Sequence, residues 1–139
     1  MRRYRCTVFR NLFLTSAALH KGPRSKFIRL LVDTGSQFTV VPPAILMAAG
    51  YDPGAQADRQ PLVSVTGVES VPVVVVDRFS CLGEVHREFA VLSHALPFDA
   101  YVDGILGMDF LRRFHFKIDT RNGTIESPGT GRRRPRPAG

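Results

Sequence analysis

Apolar residues along this chain gather in short runs separated by breaks rich in Gly, Pro, Asp and Asn, the pattern of strands joined by turns. Tyr4 to Leu14 has strand-like composition with imperfect alternation and predicts an N-terminal strand or hairpin arm. After the loop Lys21 to Ser25, marked by its Gly and Pro, Phe27 to Val32 reads as a strand ending at Asp33, and Thr39-Val40-Val41 as a second, buried one. Leu62 to Thr66 and Val71 to Val76 flank Gly67-Val68-Glu69-Ser70 and predict a hairpin turning through that tetrapeptide. Glu88 to Leu92 and Lys117 to Asp119 read as further strands, and Asn122-Gly123 places a tight turn before Thr124 to Glu126. Two segments leave the strand pattern. Pro43 to Ala49 sets helix formers behind a proline suited to a first turn, with Gly50 as the stop, and Asp109 to Phe114 predicts a short helix with Asp109 near its N-terminus. Tyr51 to Pro61 is loop. The sum is a small, mostly antiparallel all-β fold with one or two short helices.

Candidate chemistry enters at Asp33-Thr34-Gly35, followed by Ser36. A strand delivers the carboxylate at its end, a glycine permits a sharp turn, and the threonine hydroxyl can brace it. Alone, such a triplet is more often a plain strand-ending turn or a helix cap. The second half of the signal is Asp103-Gly104-Ile105-Leu106-Gly107-Met108-Asp109-Phe110-Leu111. The order of strand, Asp-Thr-Gly-Ser, Thr39-Val40-Val41-Pro42, β-rich middle, Ile105-Leu106-Gly107 and short helix resembles the retropepsin-like aspartic proteases, from roughly Phe27 to Glu126. Gly107-Met108-Asp109-Phe110-Leu111 is closer to the bacterial branch of that family than to the Gly-Arg-Asn type of the viral one.

The resemblance implies a closed-barrel-like retropepsin fold over residues 1–126 and an aspartic endopeptidase activity. It implies that Asp33, Thr34 and Gly35 form the catalytic turn, with Ile105, Leu106 and Gly107 packed beneath it. The hairpin of residues 62–76 becomes a flap over bound peptide, with Thr66, Gly67 and Val68 as substrate contacts and Val65, Val68 and Val73 as apolar ones. Thr34 would join a hydroxyl network across a dimer axis, and Ser36 would add a hydroxyl near the carboxylate. Activating water with carboxylates needs an acid and a base together, and the chain carries one Asp-Thr-Gly. The expectation is therefore a homodimer in which Asp33 meets the same residue of a second copy. Asp103 and Asp109 lack the Thr-Gly context and read as structural. Viral relatives interleave N- and C-terminal strands between subunits, whereas this chain has a longer N-terminal extension and a C-terminal tail poorly suited to pair, so the interface is expected to be built differently. The alternative is a catalytically idle peptide-binding or dimerisation module of the same fold.

Charge adds one further reading. The net charge is +7, and Arg132, Arg133, Arg134 and Arg136 supply four of it from residues 127–139, an Arg/Pro/Gly tail expected to be disordered. No aromatic residue interleaves with these arginines to stack on bases, so nucleic acid is not the expected partner; a basic nucleic-acid-binding domain rests on the tail alone. The substrate class is a peptide or protein. An apolar content of 44% with charged residues at 22% supports a packed core, and no run is long enough to span a membrane. Met1-Arg2-Arg3-Tyr4-Arg5 imitates a leader's basic region, but Arg10 and Asn11 interrupt the apolar segment that a leader needs next, which points to a cytoplasmic protein. Cys6 and Cys81 then read as reduced thiols. His20, His86, His94 and His115 are scattered, and no spacing implies a metal or cofactor.

Overall fold

Tight turns with left-handed residues set the registers of the main sheet. In a computed structural model describing residues 2–97 and 101–127, β2 (Thr7–Phe9) turns into β3 (Leu12–Lys21) through Arg10 and Asn11, at φ of 49° and 65°. β7 (Gly67–Cys81) turns into β8 (Glu84–Ser93) through Leu82 and Gly83, at 52° and 76°. Positive φ at both central residues gives a two-residue hairpin the twist of its flanking strands. Gly22-Pro23 joins β3 to β4 (Arg24–Val32) with Gly22 alone at positive φ, 54°, so the loop expected over Lys21 to Ser25 shrinks to these two residues.

The remaining elements are β1 (Arg2–Arg5), β5 (Val40–Val41), α1 (Pro43–Ala48), β6 (Arg59–Ser64), β9 (Gly104–Leu106), α2 (Met108–Leu111), β10 (Lys117–Asp119) and β11 (Thr124–Ser127). The fold is all-β with two short helices, as expected. The arginine-rich tail lies outside the described residues beyond Ser127. Eight strands pair in the order β2-β3-β4-β9-β5-β8-β7-β6, and β3 pairs with β7 as well. That extra ladder, Ala17 to His20 against Arg78 to Cys81, closes β3, β4, β9, β5, β8 and β7 into a ring. With only Val40–Val41 in β5 and three residues in β9, the ring is barrel-like without being a clean barrel. Leu19, Leu30, Val76, Phe79, Leu106 and Phe110 are among its fully buried core side chains. Phe79 stacks on Phe89 at 4.9 Å and meets Phe110 edge-on at 5.2 Å, tying α2 to the β7–β8 hairpin.

Tyr51 secures the closure. Its hydroxyl donates to the His20 carbonyl and accepts from the Asp77 N–H, both at 2.7 Å, just past the last β3–β7 pair. Asp77 needs this partner because Glu88, opposite it, turns to φ 50° and drops out of the β7–β8 ladder.

The predicted hairpin exists, but its turn is elsewhere. The β6–β7 ladder runs to Ser64 opposite Gly67, so Val65-Thr66 makes the turn and residues 67–70 open β7. The Ser64 hydroxyl lies 3.1 Å from that of Thr66 and caps this short link. β6 begins inside the expected loop; as an edge strand it tolerates Pro61. α2 also ends three residues early, at Leu111.

The N-terminal strand was only partly legible. β1 pairs with β11 of its own chain and β11 with β10, making a separate three-stranded sheet. Tyr4, Ile118 and Ile125 face the core from it. Cys6 and Cys81 are buried and unpaired, and burial pushes both thiols up.

Replacing Tyr51 by Phe should leave the Asp77 N–H and His20 carbonyl without their partner and cost about 1–3 kcal/mol in urea unfolding. An unchanged midpoint would show that the closure does not depend on this hydroxyl.

Candidate active site

The parallel pairing of β4 with β9 places Asp33. Leu31 opposes Ile105 and Val32 opposes Leu106, and the Asp33 N–H extends the ladder by donating to the Leu106 carbonyl at 3.0 Å. The chain then turns, with the Ser36 N–H on the Asp33 carbonyl at 3.1 Å. Asp33 Oδ1 accepts the Gly35 N–H at 2.9 Å. Gly35 has no positive φ; its value lies in space, since a Cβ there would come within 3.3 Å of that same carboxylate oxygen. Asp33 is half-buried, while Thr34 and Gly35 are exposed.

Beneath the turn, β9 lies between β4 and β5, and Val40 opposes Ile105 from the other side. The two glycines of β9 and its exit make this possible. A side chain at Gly104 would strike the Val40 carbonyl, and one at Gly107 the backbone of Phe38. The first amides of α2 then hold the loop: Met108 N–H donates to Ser36 O at 2.8 Å and Asp109 N–H to Gln37 O at 3.2 Å. Ile105, Leu106 and Gly107 thus converge under Asp33, with Ser36 at the loop's far end. The Ser36 hydroxyl is committed to the Phe38 carbonyl at 2.8 Å.

Two residues of this support were missed as a pair. Thr39 is fully buried, and its N–H and hydroxyl donate to the two carboxylate oxygens of Asp109 at 2.9 and 2.7 Å. The Phe110 N–H adds a third bond at 2.9 Å, and Thr39 Oγ1 accepts the Gly107 N–H at 3.2 Å. Asp109 was legible as a helix-start carboxylate, but not its reach across to the Asp33 loop. The one clue was a threonine heading an otherwise apolar strand. Burial pushes the Asp109 carboxyl above its ordinary value; the bonds from Thr39 and Phe110 and the charge of Arg113 oppose this without cancelling it.

Thr34 stands in the wall of a cleft of about 550 Å³ whose apolar side is Met108, Leu111, Phe114, Phe116 and Ile118. The hairpin presents Thr66, Gly67 and Val68 at its tip, with Val65 fully exposed and Val63 and Val68 largely so. Its base joins the site through one apolar cluster: Leu62, Val71 and Val73 pack with Phe38, Val40, Leu92 and Ile105. Glu69 on its inner strand also lies 3.3 Å from His94 Nε2.

The fold and this loop define an aspartic protease class: a strand-borne Asp-Thr-Gly braced by a strand threaded between its neighbours. The chain belongs to the aspartyl protease family, whose model, described as "Aspartyl protease", matches residues 20–110. Among solved structures it is similar to a retropepsin-like aspartic protease from Rickettsia conorii, at 17% identity and a TM-score of 0.68, covering 89% of this chain and 88% of that one. No curated protein matches in sequence. Among the described residues, no helix is long and apolar enough to cross a membrane.

Asp109→Ala should cost about 3 kcal/mol, because an unsatisfied buried donor costs about 1–3 kcal/mol and Thr39 loses two acceptors. A carboxyl raised on folding keeps its proton to higher pH in the folded state than in the unfolded chain. Its contribution is therefore whole below the ordinary value of 3.8 and is lost as pH rises through the folded value. Urea unfolding across that window should show this decline in the wild type and not in Asp109→Asn; parallel curves would contradict it.

Proposed function

We propose that this chain is an aspartic endopeptidase that works as a homodimer, with Asp33 of two copies flanking one water and one scissile peptide bond. The observation that supports it best is the setting of Asp33. Its carboxylate sits on a turn open to solvent, one oxygen held by the Gly35 N–H, on a loop clamped from below by β9 and α2. One such carboxylate is half of an acid–base pair, and a second copy supplies the other half.

Two carboxylates held this close do not both ionise cheaply, so the pair shares a proton. The ionised Asp33 takes a proton from water as its oxygen attacks the carbonyl carbon. The protonated partner gives its proton to the carbonyl oxygen. A proton then passes to the amide nitrogen, the C–N bond breaks, and the acid and amine leave. The side chains of Thr34 from both copies meet near the axis, and Ser36, Ile105, Leu106 and Gly107 keep the loop in place. An extended peptide lies under the hairpin, with Thr66, Gly67 and Val68 as its contacts and backbone pairing as the binding mode. The exposed valines at the tip support apolar residues around the cleaved bond. The two unpaired thiols support a reducing compartment, the cytoplasm.

Cleavage of a diverse peptide library by Asp33→Asn should fall by roughly a thousandfold or more, near the upper range for acid–base groups, at a concentration where sedimentation shows dimer. Absence of cleavage by a proven wild-type dimer would instead favour the idle binding module. Gly35→Ala should displace the carboxylate and lower kcat by roughly tenfold to a hundredfold with the unfolding midpoint unchanged, as expected when a reacting group is misplaced without loss of folding.

A further inference from the structure

The small sheet of β1, β11 and β10 has two open edges, and their residues treat an incoming strand in opposite ways. β11 is central, so β1 and β10 each leave one side of the backbone without a strand among the described residues. β1 holds Arg2, Arg3 and Arg5 in four residues. Any antiparallel pairing of β1 with its own copy over three residues or more sets arginine against arginine, and like charges directly opposite repel. β10 is Lys117-Ile118-Asp119, opposite charges on either side of one apolar residue. Its full-length antiparallel pairing with a second copy has a single register: Ile118 lies opposite Ile118, and each Lys117 opposite the Asp119 of the other copy.

The pairings within the chain extend this match across the sheet. On the outer face Arg3 lies opposite Glu126 and Glu126 opposite Lys117. Arg3 and Glu126 are paired at 2.8 Å, whereas Lys117 is exposed and has no ion-pair partner among the described residues. Asp119 accepts the N–H groups of Arg121 and Asn122 and the Asn122 side-chain amide. A carboxylate has about four acceptor sites, so these bonds leave room for an ammonium group. The bonds from Asn122 also hold its carboxyl below the ordinary value, which keeps it charged at neutral pH. The inner face is apolar: Tyr4, Ile125 and Ile118 form one cross-strand row against the core.

We propose that a second copy of this chain adds to the open edge of β10 in that register, joining two three-stranded sheets into one continuous sheet. Each outer row then runs Arg3, Glu126, Lys117 and onward through the second copy's Asp119, Thr124 and Arg5, with signs alternating through the crossing. Between the two outer rows, Tyr4, Ile125 and Ile118 meet the same three residues in reverse order, as two-fold symmetry requires. Ile118 shares the cleft of about 550 Å³ with Thr34, Leu111, Phe114 and Phe116, so a copy added at this edge stands beside the Asp33 turn. The edge thus gives the dimer a place to join, an inference that rests on the homodimer reading above.

The test combines a disulfide trap with a charge exchange, both in the full chain. Residues directly opposite in an antiparallel pair have Cα atoms about 4.5–5.5 Å apart, within the roughly 4.4–6.8 Å that a disulfide spans. Ile118→Cys oxidised with glutathione disulfide should therefore give a covalent dimer on a non-reducing gel. Val8→Cys and Val85→Cys, at more exposed positions away from this edge, should not. Lys117→Glu and Asp119→Lys each set like charges together at both crossings, and each should raise the dimer Kd by roughly tenfold or more in sedimentation equilibrium at about 50 mM salt. Mixed in equal amounts, the two variants bring opposite signs together again and should recover the dimer, which two misfolded chains would not do. A wild-type dimer with no Ile118→Cys cross-link above the controls would overturn this edge and leave the homodimer reading standing. So would a dimer unmoved by either charge variant, or one that mixing fails to recover. A wild-type chain that sediments as a monomer throughout would overturn the homodimer reading and this inference with it.

Discussion

One backbone crossing carries this structure: β9 runs between β4 and β5, taking hydrogen bonds from both, and everything near Asp33 is positioned by it. Three strands that close leave no volume for side chains where their backbones meet, so Gly104 and Gly107 are required by contact with Val40 and Phe38 and not by any unusual φ. The Asp33 N–H spends itself on Leu106, which fixes where the strand stops and therefore where the carboxylate emerges.

From that crossing the site is built in layers of decreasing burial. Thr39 and Asp109 form a buried polar clamp, the α2 amides hold the loop carbonyls, and above them Asp33 is half-buried and Thr34 and Gly35 are open. A buried polar group is tolerable only when paired, and Asp109 meets this by gathering three donors around one carboxylate. The paired layer below and the exposure above leave the Asp33 carboxylate accessible on a braced base. The hairpin shares the same foundation through the cluster joining Val71 and Val73 to Val40 and Ile105.

The second sheet uses the same chain differently. In the resembling viral enzymes terminal strands are shared between subunits; here β1 is paired within its own chain, which satisfies the backbone groups on its β11 side. The cleft lined by Leu111, Phe114 and Phe116 adjoins the turn at Thr34.

The sequence by itself determined the strand-rich class, the Asp33 turn and the Asn122-Gly123 hairpin, because each of these is local: a short apolar run bounded by residues with a particular backbone habit; Ile105-Leu106-Gly107 beneath that turn was implied only by the family resemblance. It misplaced the flap turn because Gly67 looks like a turn residue in isolation, whereas the register of Ser64 against Gly67 is a property of two strands together. Arg10-Asn11 and Leu82-Gly83 hid as turns for a related reason, since in each pair the first residue takes a left-handed conformation that its type seldom adopts. Only the tertiary structure decided the partnership of Thr39 with Asp109, the β3–β7 closure under Tyr51 and the pairing of β1 with β11. These join residues tens of positions apart, and no local pattern encodes a contact whose two halves become neighbours only when the sheet closes.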